Sequence, residues 1–196
     1  MSIAFIICGA LAREAMAIIK QNEWEIDVYG IPAIDHMRPE KITPDVERKF
    51  LAIRERYHHV LVVYGDCGTR GSLDEFLSRY DLQRLESPHC YEMYSGRQFD
   101  ELMAEEPGTF FLTDFLVRGF RGTIWRGLGL DRFPQLKDDY FHNYRRIVYL
   151  MQTDSPELRV KAAKIAQILE LPLEIRFSGY SLLEQRLSDW VQQHNR

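Results

Sequence analysis

Short apolar runs alternate with helix-like segments along the chain. Residues 3–8 and 60–64 are continuous apolar runs, and such runs are typical of strands buried on both faces of a parallel sheet. Between them, residues 44–57 carry apolar side chains at helical spacing after Thr43-Pro44, a pair typical of a helix start. This alternation predicts an α/β fold of the Rossmann-like kind, with a mostly parallel sheet and helices on both faces.

The second half continues the same pattern. We expect strands at residues 109–113, 146–151 and 173–177, and helices that begin near Pro156 and Ser181. Residues 114–144 are rich in arginine, glycine and aromatic residues without a clean period, and we interpret them as helices joined by turns, a possible insertion. We therefore predict one α/β domain over residues 1–196.

Composition excludes several classes of protein. Apolar residues make up 45% of the chain, which is too many for a disordered protein. The formal net charge of −4 gives no sign of nucleic-acid binding, and no apolar run approaches the roughly 20 residues that span a bilayer. Because the N-terminus lacks the features of a targeting segment, we expect a cytoplasmic protein, without nucleic-acid or membrane partners, whose three cysteines stay reduced.

The cysteines follow successive predicted strands. Cys8 ends the first strand, Cys67 lies in the loop after the third and Cys90 comes after the fourth, while His36 follows the second. In an open parallel sheet, ligands bind beyond the carboxyl ends of the strands, and neighbouring strands are only about 4.8 Å apart. The sequence therefore predicts that these four side chains lie at one edge of the sheet, although each cysteine could also be a plain buried apolar residue.

Three thiolates at one place favour metal binding or thiol exchange. We expect Cys8, Cys67 and Cys90 to bind zinc, with His36 as fourth ligand or proton donor. A [4Fe–4S] cluster held by three cysteines, with one open iron, is the alternative. Two further sets of residues are expected at the site: Gly9, Gly65 and Gly68 beside the cofactor, and Arg70 with the arginines of residues 118–132 around an anionic substrate group. The glycine-rich loop at residues 65–71 could instead hold a phosphate through its backbone N–H groups.

The loop after the third predicted strand contains the segment Tyr64-Gly65-Asp66-Cys67-Gly68, and the chain also has Cys8, His36 before Pro39, and Cys90 before Gly96. Chiefly in that segment, and over most of its length, the chain resembles the DUF1638 domain family of bacteria and archaea. Pro107-Gly108-Thr109 and Ser181-Leu182-Leu183 extend the resemblance. The chain departs from the family pattern at Pro88-His89-Cys90, where His-Asp-Cys is common, and at Thr69-Arg70, where a small residue such as asparagine is usual.

The resemblance implies methyl-group or thiol metabolism, because members of the family often accompany corrinoid-dependent methyltransferase systems. Combined with the predicted zinc site, it favours a metal-dependent transferase that activates a small thiol or methyl-group substrate. A non-catalytic accessory protein, which binds a corrinoid or a partner methyltransferase, is the other hypothesis. These hypotheses differ in whether the isolated chain has turnover.

Overall fold

The computed structural model describes residues 2–194, in which two parallel sheets are flanked by helices. The first sheet contains β1 (Ile3–Cys8), β2 (Ile26–Ile31), β3 (His59–Val63) and β4 (Gln83–Arg84), in the order β2-β1-β3-β4. The second contains β5 (Thr109–Leu112), β6 (Arg146–Met151) and β7 (Leu173–Phe177), in that order. The prediction of an α/β fold with parallel strands is confirmed, with two sheets rather than one.

Helices connect the strands throughout. They are α1 (Ala12–Gln21), α2 (Ile42–Ile53), α3 (Ser72–Arg79), α4 (Cys90–Ser95), α5 (Arg97–Glu105), α6 (Asp114–Phe120), α7 (Lys137–Phe141), α8 (Pro156–Leu169) and α9 (Ser181–His194). Short 3₁₀ turns occur at Ala33–Met37, Pro39–Lys41, Arg54–Arg56 and Pro134–Leu136, and one π turn at Arg121–Trp125. None of the helices in the described part of the chain is long and apolar enough to cross a bilayer.

The chain divides into two compact units. The first runs to Met93 and includes the C-terminal helix from Ser181, and the second comprises Tyr94–Tyr180. Each unit contains one of the two sheets. The second also contains residues 114–144, which form short helices and turns as expected. The assignment of residues 1–196 to one folding domain stays a prediction.

In the first unit, every residue of β1 is buried. On one face of the sheet, Phe5 packs edge-on against Trp190 of α9, with ring centroids 6.1 Å apart. Phe50 of α2 meets Phe76 of α3 in a similar way. The chain moves from β1 to β2 in one direction, and from β2 to β3 and on to β4 in the opposite one. Because crossovers between parallel strands are right-handed, this order puts α1 on one face of the sheet and α2 and α3 on the other. β1 and β3 are therefore neighbours at a topological switch point.

The second unit has a core of its own. Buried side chains of β5 and β6, among them Leu112 and Tyr149, pack with Val117 of α6 and with Ala162 and Ile165 of α8. The helix α8 begins where the sequence predicts, because the Ser155 hydroxyl accepts a hydrogen bond from the Leu158 N–H across the first turn.

Candidate functional site

All four side chains predicted for the site lie at the carboxyl edge of the first sheet. Cys8 is the last residue of β1, and Cys67 lies in the loop after β3, the neighbouring strand. Cys90 is the first residue of α4, shortly after β4, and His36 lies in the 3₁₀ turn after β2. We call Cys8, Cys67, Cys90 and His36 the thiol edge. It coincides with the switch point, where ligands bind in doubly wound sheets.

Glycines allow the loops of this edge to approach one another closely. A Cβ atom on Gly65 would lie 2.8 Å from the Cα atom of His89, so only glycine lets the loop after β3 meet the segment before Cys90. A Cβ on Gly9 would lie 3.1 Å from the carbonyl oxygen of Ile31. Gly68 has a φ of +85°. The structure thus gives the three predicted glycines a role in loop packing, and their contact with a cofactor stays a prediction.

Backbone hydrogen bonds join the loop after β3 to the segment after β4. The N–H of Asp66 donates to the carbonyl of Ser87 at 3.0 Å, and the N–H of Cys67 donates to that of Pro88 at 2.8 Å. These bonds continue the pairing of β3 with β4 past the end of the strands. They fix the backbone of Cys67 beside the segment that leads to Cys90.

The carboxylate of Asp66 organises the rest of this loop. It accepts hydrogen bonds from the backbone N–H groups of Gly68 and Gly71, at 3.1 and 3.3 Å, and from the Thr69 hydroxyl at 2.8 Å. Burial opposes ionisation of Asp66, but these hydrogen bonds together lower its pKa below the ordinary value. Two N–H groups that could have held a phosphate are therefore directed at the protein's own carboxylate.

The ring of His36 is held in one orientation next to Cys8. Its Nδ1 lies 2.9 Å from the carbonyl oxygen of Ala33, to which it donates, so in the neutral ring Nε2 carries a free lone pair. Nε2 lies 4.0 Å from the sulfur of Cys8. The ring also stacks on Tyr64, with centroids 5.6 Å apart and planes 15° from parallel. Burial lowers the pKa of His36 and favours the neutral form.

Tyr64 is the residue of this edge to which the sequence analysis gave no role. Its side chain is fully buried, and its hydroxyl has no hydrogen-bond partner among the described residues. Burial raises the pKa of the hydroxyl strongly, and the nearby thiols of Cys8 and Cys67 raise it further. A signal was present in the sequence, because Tyr64 places a polar group at the carboxyl end of an otherwise aliphatic strand.

Ionisation of one thiol opposes ionisation of its neighbours at this edge. Burial raises the pKa of Cys8 to about 11, even though the N–H of Ala10 donates to its sulfur at 3.4 Å. Burial and then Cys8 raise the pKa of Cys67 to about 12. Burial, followed by Cys8 and Cys67, raises the pKa of Cys90 well above its usual value. The three cysteines therefore lie within electrostatic range of one another and are protonated at neutral pH.

A formed metal site is absent from residues 2–194, where no group of three or more His, Cys, Asp or Glu side chains has the arrangement that holds a metal ion. Metal binding is therefore not confirmed. Arg70, predicted to bind substrate, is exposed on the loop after β3. The predicted arginines of residues 118–132 all lie in the second unit, where Arg121 stacks over Trp125 and Arg132 over Phe133.

The second sheet has a buried carboxylate at its own carboxyl edge, which the sequence analysis did not identify. Asp114 is fully buried and accepts from the Tyr149 hydroxyl at 2.6 Å, from the backbone N–H groups of Gln152 and Thr153, and from Arg118. Every one of these partners belongs to the second unit. The arrangement ties the end of β5 to the end of β6.

A cavity of about 420 Å³ lies at the opposite, amino edge of the first sheet. Its lining includes His59, Tyr80, Trp190 and His194, but no residue of the thiol edge. His194 stacks on Trp190 with centroids 4.0 Å apart, and its Nδ1 donates to the Trp190 carbonyl. The cavity is therefore separate from the candidate site.

The fold and the thiol edge define a parallel α/β protein whose first sheet is doubly wound and has a cysteine-rich carboxyl edge at its switch point. A comparison with protein-family models matches residues 31–187 to DUF1638, described as a protein of unknown function. The chain therefore belongs to the DUF1638 family, and the resemblance seen in the sequence is confirmed. The comparisons with curated proteins and with solved structures found no match.

Proposed function

We propose that the thiol edge binds a zinc ion through Cys8, Cys67 and Cys90, with His36 at the fourth position. The observation that carries the proposal is the separation of 4.0 Å between the Cys8 sulfur and His36 Nε2. Two ligands of a tetrahedral zinc ion, one sulfur and one imidazole nitrogen, are about 3.6 Å apart. This pair thus has to close by only about 0.4 Å to hold one ion.

The donor set suits zinc. Thiolate and neutral imidazole are its preferred protein ligands, and a zinc-bound histidine usually donates its other ring N–H to a carbonyl or carboxylate. His36 has that second bond, to the Ala33 carbonyl, so its Nε2 is oriented before any ion arrives. The sulfur of Cys8 also accepts a hydrogen bond from the backbone N–H of Ala10, at 3.4 Å.

The chemistry of this site would be activation of a small thiol or methyl-group substrate. A sulfur of the substrate that displaces His36 would become a fourth ligand, and zinc supplies the Lewis acidity that ionises it. Arg70, exposed on the loop that carries Cys67, would bind an anionic part of the substrate. Transferase activity and a corrinoid or methyltransferase partner belong to the same proposal.

The direct test is metal analysis of the full chain purified without oxygen. We expect about one zinc per chain, and its loss in Cys67→Ser. Zinc at about 100 times its dissociation constant should raise the free energy of unfolding by about 2.7 kcal/mol in the wild type and by none in this variant. A visible absorption band with bound iron would instead indicate the [4Fe–4S] alternative.

Two histidine variants provide a matched control. His36→Gln should weaken zinc binding, whereas His58→Gln should leave it unchanged, because His58 is exposed near the amino end of β3 and bonds Ser2. A chain that holds no metal after anaerobic purification and does not take up added zinc would contradict the proposal. So would zinc that stays bound in Cys67→Ser.

A further inference from the structure

The hydroxyl of Tyr64 occupies an unusual position in the first unit. It is buried with no hydrogen-bond partner in the described chain, although most buried hydroxyls have one. Leaving such a group unpaired costs about 1 to 3 kcal/mol. Among the described residues, the thiol of Cys8 is close enough to interact with this hydroxyl, but no well-formed hydrogen bond explains its burial.

The surroundings of Tyr64 indicate which partner it lacks. Cys8 and Cys67 both interact with it electrostatically, and its ring is fixed by the stack on His36. The tyrosine thus lies between the strand end that carries Cys8 and the loop that carries Cys67. A protonated thiol is a weak acceptor, whereas a thiolate accepts a strong, charge-assisted hydrogen bond.

We propose that Tyr64 is a positioning residue that donates a hydrogen bond from its hydroxyl to the sulfur of Cys8 when Cys8 is bound to the metal ion. This inference rests on the zinc site proposed above. The bond moves electron density away from the sulfur and fixes the direction of its lone pairs. Partners of this kind, which touch a ligand rather than the metal, typically change metal affinity 10- to 100-fold.

The inference makes an unusual prediction for Tyr64→Phe, which removes only the hydroxyl. If Tyr64 served stability alone, the variant would unfold more easily. Because the hydroxyl makes no well-formed hydrogen bond among the described residues, we expect the metal-free variant to be close to the wild type in stability in urea. Its dissociation constant for zinc, however, should rise about 10-fold or more.

The experiment uses the full chain, stripped of metal with a chelator under reducing conditions. Zinc affinity is measured by competition with a chromophoric chelator, and Co²⁺ is titrated as a spectroscopic probe of the sulfur ligands. In Tyr64→Phe the sulfur-to-cobalt charge-transfer band should shift, because Cys8 loses its hydrogen bond. Tyr149→Phe is the control, since Tyr149 is equally buried but bonds Asp114 in the second unit. In this control variant the urea midpoint should fall, whereas the zinc affinity and the cobalt charge-transfer band should stay unchanged.

The outcomes separate the two proposals. If the wild type binds zinc, and Tyr64→Phe has the same zinc affinity and the same cobalt band, the role of Tyr64 is wrong and the zinc site is unaffected. A wild type that binds neither zinc nor cobalt would overturn both. If the variant fails to fold, the tyrosine ultraviolet difference spectrum of the wild type decides, because zinc should shift a buried phenol band to longer wavelength only if Tyr64 gains this bond.

Discussion

Gly65 is the residue on which the geometry of the thiol edge most depends. In Gly65→Ala, the new Cβ would lie 2.8 Å from the Cα of His89, 2.9 Å from its backbone nitrogen and 3.0 Å from the carbonyl oxygen of Ser87. All three contacts are with backbone atoms, which cannot rotate away as a side chain can. The loop after β3 and the segment after β4 must therefore separate.

The cost follows from the contacts that this separation affects. Overpacking a tight site typically costs about 1 to 3 kcal/mol. Separation also weakens the hydrogen bonds from Asp66 to Ser87 and from Cys67 to Pro88, each worth about 1 kcal/mol. We expect Gly65→Ala to lower the free energy of unfolding by about 2 to 4 kcal/mol in all. Because the move carries Cys90 away from Cys67, zinc affinity should fall as well.

Urea unfolding followed by circular dichroism measures the stability, and chelator competition measures the affinity. Gly30→Ala is the matched control, since Gly30 is exposed in β2 and an added Cβ there would meet no atom within 4 Å. That control should match or slightly exceed the wild type in stability, because alanine costs less conformational entropy than glycine. If Gly65→Ala is as stable as Gly30→Ala, the close approach of the two loops is not what requires glycine here.

Two further predictions concern contacts of carboxylates, one fully buried and one half-buried. Asp114→Ala removes the acceptor of the Tyr149 hydroxyl and of two backbone N–H groups, so the free energy of unfolding in urea should fall by about 3 to 5 kcal/mol. The control Asp138→Ala changes an exposed carboxylate and should lower it by less than about 0.5 kcal/mol. Near-equal losses in the two variants would refute this prediction. The hydrogen bonds from Arg186 lower the pKa of Glu92, so their stabilisation is present above the unfolded pKa of about 4.3 and is lost as pH falls through the folded value. Urea midpoints measured across this acid range should fall less steeply in Glu92→Gln than in the wild type, and parallel curves would contradict the assignment.

Apolar runs predicted the sheet strands well. The bounds of β1, β6 and β7 agree with the sequence analysis, because each is a run whose burial or alternation leaves one choice of register. Helix starts were harder. Thr43 was expected to cap α2, yet the helix begins at Ile42, which is fully buried, and the Thr43 hydroxyl bonds Ser72 instead. Packing of the first turn outweighs the cap preference there.

The contacts between loops could not be predicted from the sequence. The order of the strands, and hence the meeting of Cys8 with the loop of Cys67, follows from tertiary packing. Two segments of this edge are short: the 3₁₀ turn at Ala33–Met37, and α4 with only six residues. Neither is long enough to show a helical period. The approach of His89 to Gly65 depends on atoms more than twenty residues apart, which no local pattern records.

The two sheets end in similar ways but leave different chemistry available. In each, an aspartate follows a buried strand and holds the next loop: Asp66 after β3 and Asp114 after β5. Asp114 binds Tyr149 and Arg118, so the tyrosine hydroxyl at that edge already has a charged acceptor. Asp66 instead accepts from its own loop, and the hydroxyl of Tyr64 lies near the Cys8 sulfur without a well-formed hydrogen bond to any described residue. A bound cation would deprotonate the cysteines of the thiol edge and give the Tyr64 hydroxyl a thiolate acceptor. Ligand binding should therefore be sought at the carboxyl edge of the first sheet.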